Sequence, residues 1–324
     1  MKTKKNFRFW IIMKKSFLVM VGVALFCVIF HQAMIVYEQK KYPPLGKLVE
    51  VDGKKMHVYS KGNGENTIVL LSGLGTAAPV LDFEPLINEM SKKNKVVVVE
   101  SFGYGWSDLT KKERTVDNIV EEIRTALKKS KIKGPYILMP HSISGIYSMY
   151  YANKYPKEVK AVIGIDPTQP KASGSHSDSD FIPKFMGYIS PMGIVRLVSY
   201  LIPDFSSPSA EEGVYSEENL KMTKAITTWK TFNKNIVDET NKIGQNIGET
   251  INLRFPSKMP VLLFYQEQRK VNEDVNSYKD FYQTKKCKIV HLKGNHYLHW
   301  TRYKKMSRQV NDFTKTLAAI NKIN

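Results

Sequence analysis

Five short runs in this chain carry no polar residue: IVLL (68–71), VVVV (96–99), YILM (136–139), AVIGI (161–165) and VLLFY (261–265). A strand with one wet face alternates apolar and polar, so a strand apolar throughout must be covered on both faces. That is the condition of a parallel sheet between two helical layers. The segments between the runs have helical spacing, as in PVLDFEPLINEMSKK (79–93) and TVDNIVEEIRTALKKS (115–130), the latter starting at a threonine. This alternation predicts an α/β chain with a mostly parallel central sheet and helices on both faces. Ahead of it, LVEVDGKKMHVYSKG (48–62) alternates around Asp52-Gly53, a strong hairpin signal.

The alternation stops at Pro167. From there to about Pro256 no buried-strand signal occurs, only helix-like segments such as FIPKFMGYI, GIVRLVSYLI and a long polar stretch from Ser216 to Ile251, entered through SGSHSDSD (173–180). Strand and helix patterns then resume at PVLLFYQ, DVNSYKDFYQTK (274–285) and CKIVHLKG, with a final helix from about Arg302 to Ile320. The middle block, 169–256, therefore reads as a helical insertion in a core made of 47–168 and 257–324. At 324 residues, 42% of them hydrophobic, the chain has material for one large folded domain. Its two cysteines, Cys27 and Cys287, give neither a disulfide framework nor a metal cluster, and no metal or cofactor is expected.

Residues 1–15 hold six basic and no acidic residues, and 16–37, SFLVMVGVALFCVIFHQAMIVY, is broken only by His31 and Gln32. The span is long enough to cross a bilayer as a helix. A cleaved signal peptide is the rival reading, but the small-residue cleavage pattern is missing, since Phe30 stands three before Ala33. An uncleaved transmembrane anchor is favoured, with a basic cytoplasmic start, a short linker at 38–46 and the remainder outside the cell membrane. The net charge of +19 suits an anionic surface, although solvated lysine faces explain it as well. Nucleic acid is not an expected partner, because zinc-ligand spacing, RNP-like strands and a basic heptad region are all lacking.

Chemistry enters at LMPHSISGIYSMYYANKYP (138–156), where a buried strand turns into a helix pattern at Ser142. So sharp a corner is tolerable only with small neighbours, here Pro140, Ser144 and Gly145; the plainer reading makes Ser142 a helix N-cap. The stretch resembles the nucleophile elbow of the α/β-hydrolase superfamily, with Pro140 and Ser144 in place of the usual glycines. The insertion sits where that superfamily carries a lid, and KGNHYLHW (293–300) matches its histidine loop. SGLG (72–75) is similar to its oxyanion loop, with Ser72 where histidine is usual, and FGYGWSD (102–108) to the loop after the next strand. The resemblance implies Ser142 as nucleophile, His296 as base, and the N–H groups of Leu74 and Ile143 as oxyanion donors. His299 could compete with His296; His141 reads as structural.

The triad acid departs from the family pattern. Where a G-x-x-D turn is usual the chain reads Gln266-Glu267-Gln268-Arg269. Asp166, ending the strand AVIGID, is favoured, and Glu267 is the alternative. The implied activity is a membrane-anchored serine hydrolase acting on a small-molecule ester, lipid-like esters included, or less readily on an amide or peptide. Apolar residues of the insertion, Phe181, Phe185, Met186, Ile194, Leu197 and Leu201, either line an acyl pocket or pack on the core. Three alternatives stay open: a catalytically inactive binding protein of the same fold, a proline iminopeptidase-like aminopeptidase, and a dinucleotide-binding oxidoreductase. The last rests on Gly73-x-Gly75-x-x-Ala78 after a strand, with Glu100 ending the next strand as the ribose acid.

Overall fold

The computed structural model describes residues 2–169, 182–202, 205, 207–267 and 287–321. The segment 173–180, Phe181 and the helix pattern at 274–285 lie outside the described residues. Eight strands form one sheet: β1 (Lys47–Val51), β2 (Lys54–Lys61), β3 (Thr67–Leu71), β4 (Lys95–Glu100), β5 (Tyr136–Pro140), β6 (Val159–Ile165), β7 (Val261–Gln266) and β8 (Cys287–Leu292), in the order β1-β2-β4-β3-β5-β6-β7-β8. β2 runs antiparallel to β1 and β4; every other pairing is parallel. The β1–β2 turn has Asp52 at φ +50° and Gly53 at φ +69°, the left-handed pair that a tight hairpin needs.

The all-apolar runs are explained by two cores, one on each face. Val69, Val97, Leu138 and Val162 point to one, which also takes Ile119 and Ile123 of α4 (Val116–Lys129) and Ile146 and Met149 of α5 (Ser144–Lys154). Their neighbours Ile68, Val96, Ile137 and Ile163 point to the other, with Val80 of the one-turn α2 (Pro79–Asp82), Leu86 and Met90 of α3 (Glu84–Met90) and Met306 and Val310 of the C-terminal helix (Tyr303–Asn321). The crossover leaving β3 thus covers one face and the crossover leaving β5 the other. Where neighbouring parallel strands send their connections to opposite faces a crevice opens at their C-terminal ends, so the loops after β3 and β5 meet there.

The first helix, α1, is continuous from Lys2 to Lys41, longer than the span 16–37, and it absorbs the first residues assigned to the linker. It stops just before Pro43-Pro44, where a helix would lose backbone donors. From Phe9 onward it is long and apolar enough to cross a membrane, and its most apolar window is only 6% buried. Its last turns do touch the rest of the protein: His31 and Glu38, seven residues apart on one helix face, are buried.

Between β6 and β7 the described residues hold helices and no strand: α6 (Ile189–Met192), α7 (Ile194–Leu201), α8 (Glu217–Lys230) and α9 (Lys234–Thr250). Ser216 caps α8 by accepting from Asn219 N–H, and Asn233 caps α9 by accepting from Asn235 and Ile236. The side chain of Asn235 bonds both backbone groups of Thr110 (2.9 and 3.0 Å), and that of Asn246 bonds Val116 N–H and Arg114 C=O (2.7 and 3.0 Å). The apolar residues of α7 do not pack on the core as expected. Its buried residues are Val195, Arg196 and Ser199, whereas Ile194, Leu197 and Leu201 are exposed, as is Phe185. The reason is Arg196, whose guanidinium grips the Glu38 carboxylate of α1 at 2.6 and 2.7 Å and so turns the polar side of α7 inward.

Candidate active site

The corner between β5 and α5 is a sharp one. Ser142 has φ +51°, a left-handed conformation that costs a non-glycine residue about 1–3 kcal/mol. Surrounding bonds hold it there: Ser142 N–H donates to Ile165 O (3.2 Å), and Ser142 O accepts from Gly145 N–H and Thr168 N–H (both 2.9 Å). Small neighbours make room. A methyl at Gly145 would stand 2.7 Å from Thr168 O, and one at Gly73 would stand 2.8 Å from His141 Nδ1 and 3.1 Å from Ser142 Cβ. Gly73 thereby lets the loop after β3 lie directly against Ser142.

Asp166 follows β6 at φ +40°, its N–H bonded to Phe264 O (2.7 Å), and its side chain is 1% exposed. One carboxylate oxygen lies 2.6 Å from Nδ1 of His296, which sits in the loop after β8. A carboxylate at that distance accepts the Nδ1 proton, leaving Nε2 as the ring's lone pair. Glu267 ends up elsewhere: it is exposed after β7, with its N–H on Leu292 O. Among the described residues neither Leu74 N–H nor Ile143 N–H donates a hydrogen bond within the chain.

The other histidines are committed differently. The His141 ring lies 4.7 Å from that of His296, with Nε2 3.2 Å from the His296 carbonyl; burial, with His299 and His296 beside it, pushes its pKa well below the ordinary range and keeps it neutral. His299, the competitor of His296, bonds Asp82 Oδ2 through Nε2 (2.7 Å), while Asp82 Oδ1 accepts from Trp300 (2.8 Å). The dinucleotide alternative loses its acid. Glu100 is fully buried, bonded to His57 Nδ1 (2.9 Å) and to the N–H groups of Val80 and Trp106, with Gly105 packed against it too closely for any side chain.

One group next to the site has no counterpart in the reading of the sequence. Glu239 of α9, 3% exposed, accepts from Tyr104 OH and Tyr147 OH, both at 2.8 Å, and the Tyr104 oxygen faces Gly75 N–H at 3.4 Å in the loop after β3. Burial raises the Glu239 carboxyl above the ordinary glutamate range, against the pull of Arg114, and raises both phenols further from ionisation. In sequence Glu239 sits in the polar run NKNIVDETNK, where nothing separates it from a solvated acid. Beside Gly75 a cavity of about 270 Å³ opens between Thr76, Thr223 and Thr227 of α8, Tyr297 and Trp300.

A family model describing the α/β-hydrolase fold matches residues 66–303. YbdG, an uncharacterised protein of Bacillus subtilis, is 34% identical over 292 residues, covering 87% of this chain and 88% of its own. A 2-(acetamidomethylene)succinate hydrolase of Mesorhizobium japonicum is 27% identical over 124 residues, 38% of this chain and 43% of that one. Among solved structures, the epoxide hydrolase VrEH1 of Vigna radiata superposes with a TM-score of 0.64 at 17% identity, covering 83% of this chain and 97% of that one. Cfl2 of Burkholderia cenocepacia does so with 0.66 at 15%, covering 84% and 97%. Sheet order, elbow and family match agree, and the chain belongs to the α/β-hydrolase fold family.

Proposed function

We propose that the protein is a membrane-anchored serine hydrolase that cleaves a carboxylic ester, and an amide less readily, through an acyl-enzyme. The observation that carries this reading is the 2.6 Å contact between His296 Nδ1 and Asp166, beside a serine held on a strained corner. In this mechanism Ser142 Oγ attacks the carbonyl carbon as Nε2 of His296 takes its proton, and the buried Asp166 carboxylate stabilises the imidazolium. Negative charge on the carbonyl oxygen is met by the N–H groups of Leu74 and Ile143; removing one such donor typically slows turnover about 100- to 1000-fold. His296 then protonates the leaving alcohol, and water, deprotonated by the same nitrogen, hydrolyses the Ser142 ester.

The fold neighbours include epoxide hydrolases, but a serine at the elbow favours acyl chemistry. Opening an epoxide would leave Ser142 as an ether, which water does not cleave, whereas an acyl ester turns over. For the anchor, His31 bonds Arg196 at 3.1 Å and Gln32 donates to Pro191 O at 3.0 Å; cleavage after Ala33 would strip both contacts from the cap helices.

A fluorophosphonate probe tests the nucleophile. Labelling is expected in the full chain and is expected to vanish in Ser142→Ala, together with hydrolysis of p-nitrophenyl esters of graded length. Folded wild-type protein that neither labels nor turns over would sink the enzyme reading in favour of a binding protein. Faster cleavage of aminoacyl-nitroanilides than of esters would favour the aminopeptidase.

A further inference from the structure

α7 is built inside out for a protein surrounded by water. Its inward side carries Val195, Arg196 and Ser199, and its outward side carries Ile194, Leu197, Tyr200 and Leu201, with Ile202 following. Leu197 is 57% and Leu201 73% exposed. Apolar side chains in such a row, on a helix whose opposite face is fully engaged, call for a partner that covers them. The position of the row identifies that partner. Arg196 is bonded to both His31 and Glu38 of α1, so the exposed face begins where α1 stops being bare and starts to touch the protein. A methyl at Gly193, the residue before α7, would stand 2.8 Å from His31 Cβ, which fixes the start of α7 against the same turn of α1.

The side chains around this junction are those of a bilayer boundary. Tyr37 and Tyr200 line one depression with Lys41, Lys221 and Lys224, and both tyrosines are more than half exposed, as is Tyr188 just before α6. Tyrosines at headgroup depth, ammonium groups beside them and apolar side chains below make up the usual order at a membrane surface. A short helix with one polar and one apolar face lies flat in that zone.

We propose that the apolar face of α7, with Tyr188 and Phe185, is embedded in the interfacial layer of the same bilayer that α1 spans, so that the insertion rests on the membrane and is not merely tethered to it. This rests on the reading of α1 as an anchor. It does not require the hydrolase chemistry. The Arg196–Glu38 pair then sets the depth of the insertion relative to α1, and the cavity beside α8 opens close to the lipid surface, where an amphiphilic ester would be concentrated.

Site-specific quenching tests it in the full chain. With Cys27→Ser and Cys287→Ser, single cysteines from Leu197→Cys, Leu201→Cys, Val23→Cys and Lys129→Cys are labelled with a nitrobenzoxadiazole dye. The proteins are reconstituted in phosphatidylcholine–phosphatidylglycerol vesicles with or without lipids carrying a nitroxide high on the acyl chain. All four positions are exposed, so the fold is not at stake. The expected result is loss of most emission at 197, 201 and 23, and little loss at 129 of α4. Quenching at 23 with 197 and 201 behaving like 129 would overturn the proposal while leaving the anchor intact. An unquenched 23 would overturn the anchor reading, and this one with it. Emission at 197 and 201 that follows protein density and not nitroxide would also overturn it, since a second copy of the chain would then cover the face.

Discussion

Ser142, at φ +51°, keeps its conformation only because its neighbours cooperate, and Gly73 is the one that faces its side chain. A methyl there meets the His141 ring and Ser142 Cβ at once. Gly73→Ala is therefore expected to lower kcat/KM about 10- to 100-fold by displacing the nucleophile while leaving the thermal midpoint within a few degrees, as read by ester hydrolysis and by circular dichroism. The two acids separate as cleanly. Asp166→Asn is expected to cost about 10⁴-fold in kcat through loss of the proper His296 tautomer, whereas Glu267→Gln should leave it unchanged; the opposite pattern in the same assay would move the acid to β7. Glu239 titrates with folding. Because burial raises its carboxyl, the group adds nothing to pH dependence below the ordinary value of 4.5, where folded and unfolded states are both protonated. Above it the unfolded chain ionises first, and stability falls by up to about 1.4 kcal/mol per pH unit until the folded carboxyl ionises too. Glu239→Gln lacks that loss, so its stability relative to the parent should rise as pH is taken upward from 4.5 in parallel denaturation curves.

At the scale of elements, the Arg196–Glu38 pair joins α7 to α1 across 158 positions and is buried on both sides. Removing one partner leaves the other charge buried. Arg196→Met and Glu38→Met are each expected to destabilise by about 3–5 kcal/mol, and the double variant to recover most of that, measured by denaturation of the full chain in detergent. The strands were legible because their all-apolar runs and the hairpin at Asp52-Gly53 report local chemistry. The corner at Ser142 and the loop that carries His296 were legible because a change of period and a position after the last strand are local too. Which carboxylate lies against His296 was favoured as Asp166 but left open to Glu267, since both follow strands and only the three-dimensional course of the chain brings Asp166 to the ring. The facing of α7 escaped for a similar reason. Spacing shows which residues share a face, and it cannot show that a carboxylate far away on α1 draws the polar face inward.

For the whole molecule, the proposed anchor places the basic start of α1 on the cytoplasmic side and everything after it outside. In intact cells producing the full chain, added protease is expected to degrade the domain from Lys47 onward while a tag at the N-terminus survives; protection of the domain until the membrane is broken would reverse the topology. The insertion is fastened to the core through both of its long helices. α8 packs Ile226 and Trp229 on Ala78 and Leu81 and donates from Asn219 to Leu81 O and Glu84, and α9 is sewn on by Asn235, Asn246, Glu239 and Asn233, the last donating to Gly103 O at 2.7 Å. Swinging α9 outward would strand two phenols and several main-chain groups at once, so it acts as a fixed jamb and not as a door. A carboxylate shared by two phenols of the core is thus the rivet that keeps α9 from drifting off the sheet.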